Sequence, residues 1–124
     1  MDNVKRTIGI LMALLMLLGG IAHFISPGTY NGLIPDFLPK LTINYLTGIV
    51  EIVLGIGVFL PGYRKIALFG IFVLMICFLP IHIIDAFKQD PVIGTRMVAY
   101  ARVLMQFLLI YLPWFAQSKT TELK

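Results

Sequence analysis

Charge is scarce in this chain of 124 residues: Asp, Glu, Lys and Arg make up 13% of it, against 59% hydrophobic residues, and the mean hydropathy is +0.92. Too few polar side chains are present to clothe a water-soluble domain, so the solvent for most of the chain is lipid. Cysteine is almost absent as well. The single Cys77 excludes an intrachain disulfide and a CxxC redox pair, and its place inside an apolar run reads as packing. No basic stripe with interleaved aromatics is present, which excludes a nucleic-acid surface. Neither a glycine-rich phosphate loop nor a serine nucleophile elbow occurs. The apolar runs lack the period-two alternation of membrane barrel strands, and that excludes a barrel.

Four long apolar runs remain, over about residues 7–25, 41–60, 66–85 and 97–115. Each has roughly the 20 residues that a helix rising about 1.5 Å per residue needs to cross a hydrocarbon core. Helices satisfy their own backbone groups in lipid, so the expected fold is all-α: a four-helix transmembrane bundle, up-down-up-down, forming one domain over residues 1–124. Gly and Pro punctuate the gaps, among them Pro27, Pro35, Pro39, Pro61, Gly62, Pro91 and Gly94. Lys5 and Arg6 ahead of an apolar stretch resemble the start of a signal peptide, with Gly20-x-Ala22 as a cleavage site. The run continues past Ala22 and three more spans follow, which favours a retained helix. Lys5, Arg6, Arg64, Lys65, Lys119 and Lys124 fall on the side of the termini, against Lys40, Lys88 and Arg96 opposite. This distribution predicts cytoplasmic termini, with Tyr63, Tyr111 and Trp114 in the cytoplasmic interfacial belt.

An ionisable group inside a membrane costs about 2.5 to 3.5 kcal/mol on insertion scales, so each one implies a partner or a task. Alternating helix directions put His23, Asn44, His82, Asp85 and Arg102 in one layer near the non-cytoplasmic leaflet. Glu51 lies deeper, between Gly48 and Gly55 on one helical face, where small residues let another helix approach. Arg102 and Gln106 share a face of the fourth span at i and i+4. The expected arrangement is an ion pair between Glu51 and Arg102, with Gln106 satisfying leftover lone pairs. Such a clasp serves either as internal glue that fixes helix register or as part of a functional site. His82 and Asp85, at i and i+3 after the helix-kinking Pro80, suggest an imidazole oriented by a carboxylate, suited to relaying protons; an interfacial pair facing water is the plain alternative. Two histidines, His23 and His82, give no metal site of the usual structural kind, and no cofactor is evident from the residues.

The first connection, residues 26–40, carries Tyr30, Leu33, Ile34, Phe37 and Leu38 among its Pro and Gly, and is too apolar for a free linker. It is expected at the interface, as a connector or as a cap over the polar layer.

Several motifs resemble those of the DoxX-like membrane proteins: His23-Phe24-x-x-Pro27, Ile34-Pro35-x-Phe37-Leu38-Pro39, and Gly48-x-x-Glu51-x-x-Leu54-Gly55-x-Gly57-x-x-x-Pro61. Phe78-Leu79-Pro80-x-His82 and Arg102-x-x-x-Gln106 extend the resemblance, which covers residues 9–114. It implies a small four-helix protein of the bacterial inner membrane, from a group named for a subunit of an archaeal quinol oxidase and thiosulfate:quinone oxidoreductase system. The expected role is an accessory subunit, or a binding module for a quinone- or lipid-like small molecule, linked to a membrane redox system. Glu51, Arg102, Gln106, His82, Asp85 and His23 are its candidate ligand-binding layer. A membrane-embedded enzyme using Glu51 and His82 for acid–base chemistry is the alternative, and a small transporter a third. Partners would be the bilayer and either further copies of the chain or a membrane redox protein.

Overall fold

The computed structural model describes residues 3–118 and is a bundle of four helices: α1 (Asn3–Ile25), α2 (Lys40–Phe59), α3 (Arg64–Ala86) and α4 (Arg96–Gln117). All four are long and apolar enough to cross a membrane. Each begins one to four residues earlier than its apolar run, because a helix continues through the polar residues at the interface. Of the lysines used to infer orientation, Lys119 and Lys124 lie outside the described residues. The connection between α2 and α3 is a tight turn in which Gly62 adopts a φ of 85°, in the left-handed region that favours glycine. Gly94, at a φ of 76°, turns the chain into α4, whose first turn is capped by Thr95 Oγ1 accepting from the Val98 N–H at 3.3 Å.

Packing divides the bundle into two hairpins. α1 lies most extensively on α2 and α3 on α4, while narrower seams between α1 and α4 and between α2 and α3 close the ring. The first hairpin is built on small residues. A Cβ on Gly20 would sit 2.8 Å from the Gly48 carbonyl oxygen, and one on Gly48 would sit 2.9 Å from that of Gly20. The two backbones therefore touch, as close helix packing in lipid requires. Gly55 repeats the contact one level down, against the Ala13 carbonyl. The glycines of the second span thus serve an internal interface, and the helix they admit is α1.

At the end of the bundle where α1 and α3 start, the core is apolar: Met12, Ala13, Met16, Val58, Ala67, Leu68, Ile71, Met75 and Ala116 form one buried cluster. Lys5 ties that end together, its Nζ donating to the Ser118 carbonyl and hydroxyl oxygens, both at 3.0 Å. Toward the opposite end the buried residues turn polar, with His23, Asn44, Glu51, Asp85 and Gln106 replacing aliphatic side chains. Large apolar residues such as Leu18, Val53, Ile66 and Leu104 face outward, as lipid-facing positions do. Cys77 joins them: it is exposed on the outer face of α3 and not a packing residue of the core, since α3 turns Ile71 and Met75 inward instead.

Candidate functional site

The buried stripe of α2 is Asn44, Gly48, Glu51, Gly55 and Val58, spaced four, three, four and three residues apart, so one helical face carries both the polar residues and the glycines. Because the glycines bring α1 onto this face, Glu51 meets α1. Its Oε1 lies 3.7 Å from His23 Nε2, and Glu51 as a whole is only 5% exposed. Gly19 leaves room for the second oxygen, Oε2, which a Cβ there would meet at 2.9 Å. The far side of the imidazole is held by Asn44, whose Oδ1 is 3.0 Å from His23 Nδ1. Asn44 is fully buried, and its Nδ2 faces the Lys40 carbonyl at 3.2 Å, the Pro27 carbonyl at 3.3 Å and Asn31 Oδ1 at 2.8 Å. One amide thereby joins α1, α2 and the first connection.

The expected ion pair between Glu51 and Arg102 is not formed: no nitrogen of Arg102 lies within 4.0 Å of a Glu51 carboxylate oxygen, and the near partner of Glu51 is His23. The two residues line opposite sides of one cavity, because α4 packs on α3 and α1 and leaves α2 across the gap. Glu51 Oε2 and Arg102 Nη1 are both buried without a hydrogen-bond partner among the described residues. Gln106 does not satisfy the carboxylate either. Its Nε2 donates to the Met75 carbonyl at 2.7 Å, locking α4 to α3. His82 and Asp85 also separate. Asp85 is buried at the end of α3, where its Oδ1 accepts from the Val92 N–H at 2.9 Å and lies 3.9 Å from Lys88 Nζ, so it shapes the connection into α4. His82 turns toward the cavity.

That cavity has a volume of about 250 Å³. Its walls are mostly apolar, from Leu15, Met16, Ile43, Met75, Phe78 and Leu109, with Glu51, His23, His82, Arg102 and Gln106 converging among them. The first connection forms its roof. Residues Pro27–Thr29 and Asn31–Leu33 are short 3-10 turns, and Tyr30, Leu33 and Ile34 line the space beneath. The Tyr30 ring stacks on His23 with centroids 4.1 Å apart. Burial pushes the Tyr30 hydroxyl above its usual range, with the Glu51 carboxylate adding to the shift and Arg102 opposing it. Lys40 pins the roof to α2 by donating to the Asn31 and Ile34 carbonyls, and Lys88 reaches from the other connection to the Gly32 carbonyl at 3.2 Å. Phe37 alone of the large apolar side chains in the roof stands clear, 86% exposed.

Five of the six residues singled out in the sequence therefore line one cavity, and Asp85 is the exception. Sequence reasoning placed Asn44 in the layer without its role as the hub, and it missed Tyr30 as the cover of His23. The spacing of Asn44, Gly48, Glu51 and Gly55 on one face was the available signal for the first; for the second it was the apolar first connection, expected as a connector or as a cap over the polar layer, though it did not single out Tyr30. Such a pocket, apolar with a few converging polar groups, is the form that small-molecule sites take. No curated protein and no solved structure matches the chain. A family model does match residues 12–117, and on that match the chain belongs to the family described as a domain of unknown function, DUF8561.

Proposed function

We propose that this protein is a membrane-embedded binding module for a quinone- or lipid-like small molecule, held in the cavity under the first connection. One observation carries the reading: Glu51 and Arg102 line the cavity from opposite sides, each with a buried polar atom that no group among the described residues satisfies. A buried group left so costs about 1 to 3 kcal/mol, and more if charged, which a bound head group would recover. The resemblance to the DoxX-like proteins supports a role as an accessory subunit beside a membrane redox system, in a bacterial inner membrane. The excess of Lys and Arg on the side of the termini supports cytoplasmic termini.

The test is a calorimetric titration of the purified protein in lipid nanodiscs with a short-chain quinone in its oxidised and its reduced form and with a monoacylglycerol. Saturable binding to one site is expected, weakened about tenfold or more by Arg102→Ala, which removes a charge-assisted hydrogen bond. Absence of saturable binding by the folded protein overturns the reading. A second reading, acid–base catalysis by Glu51 and His82 on a membrane-dissolved substrate, is favoured by the fact that both line the same cavity. It predicts that Glu51→Gln abolishes turnover while leaving ligand affinity within a few fold.

A further inference from the structure

On the reading that the cavity holds a ligand, the hydrogen-bonding state of His23 limits what that ligand is. Asn44 Nδ2 faces two backbone carbonyls and a side-chain oxygen, so its orientation is fixed: reversing the amide would set oxygen against all three. Its Oδ1 must then accept from His23 Nδ1, which places a proton on Nδ1. A neutral His23 consequently turns the lone pair of Nε2 toward Glu51 Oε1. A proton between these two atoms sits either on Nε2, facing a carboxylate, or on Oε1, facing a neutral imidazole. With the carboxyl ionised, or with its proton on Oε1 toward the imidazole, Glu51 Oε2 carries lone pairs only; a proton on Oε2 would leave the lone pairs of Oε1 and Nε2 opposed. The charged and titratable groups around it are His23 from α1, Tyr30 from the roof, His82 from α3 and Arg102 from α4. Among the described residues none of them partners Oε2. Arg102 Nη1 across the cavity is a donor in every state.

We infer that the ligand is an amphiphile whose head group carries a hydroxyl and a second oxygen: the hydroxyl donates to Glu51 Oε2, and an oxygen accepts from Arg102 Nη1. The cavity selects this form over a counterpart bearing carbonyl or ether oxygens alone, which would set lone pairs against the carboxyl oxygen. Two sources share this chemistry, an alkyl hydroquinone and a monoacylglycerol.

The experiment titrates the protein in nanodiscs with four probes: a decyl hydroquinone kept reduced, its benzoquinone, its dimethyl ether, and monoolein. The hydroxylated probes are expected to bind about tenfold or more tightly than the quinone and the ether, the cost of an unsatisfied buried acceptor. Whichever of the hydroquinone and monoolein binds more tightly identifies the source. Glu51→Met should bring the hydroquinone-to-quinone ratio close to one, whereas Arg102→Met should weaken every probe. A quinone that binds as tightly as its hydroquinone overturns the inference and leaves the binding module standing, as does a preference that survives Glu51→Met. Failure of all four probes to bind folded protein overturns the binding module itself. The wild-type series decides without any variant.

Discussion

The two halves of this bundle use the same four helices to opposite ends. In the half that contains the chain's beginning, Ile71, Leu68, Met12 and Met16 interlock without a polar side chain among them. In the other half Glu51, His23, His82 and Arg102 surround a space that the protein leaves open. Lipid supplies no hydrophobic drive for helices to associate, so a membrane bundle holds together by close packing and interhelical hydrogen bonds. The first half relies mainly on packing, and the second adds hydrogen bonds around a cavity into which several ionisable side chains converge. The Gly20–Gly48 backbone contact lies at the level of the polar half, which lets that half keep a cavity without splaying the first hairpin.

Substitutions should divide along this line. The largest effect is expected from Ile71→Ala, at a position with no exposure, where the void should cost about 2 to 5 kcal/mol of stability and lower the thermal midpoint in detergent accordingly. An unchanged midpoint would show that the apolar half does not carry the fold. Asn44→Ala should cost about 1 to 3 kcal/mol, because it strips the partner from His23 Nδ1 and from the carbonyls of Lys40 and Pro27. It should also loosen the roof, read as faster hydrogen exchange at residues 26–34. The smallest effect on stability belongs to Glu51→Met, which should lower the midpoint by less than about 1 kcal/mol equivalent, or raise it, since an ionisable group with an unpartnered oxygen leaves the membrane interior. A loss as large as that of Ile71→Ala would make Glu51 a structural residue and erase the distinction between the halves.

The four helices were legible in the sequence because length and apolar content alone define a membrane span, and the gaps were marked by Pro and Gly. Membership of the polar site was largely legible too, since so few ionisable residues lie within the spans that each one stands out. Partnership was not. Whether Glu51 meets Arg102 or His23 depends on which helix lies against its face, and that was decided by the backbone contact of Gly20 with Gly48, residues on two different spans whose pairing no composition records. Asp85 misled for a related reason: three residues from His82 on a helix, it is turned far enough to accept from the Val92 N–H in the next connection.

The division into two hairpins has a mechanical consequence. Each hairpin is stiffened along its length, the first by touching backbones and the second by the Gln106–Met75 bond. The cavity is walled by both hairpins, so its width depends on how the two are held together. Lys88 on the Gly32 carbonyl and Val92 against Gly32 cross from one hairpin to the other at the roof, so these two contacts tie the walls of the cavity together there.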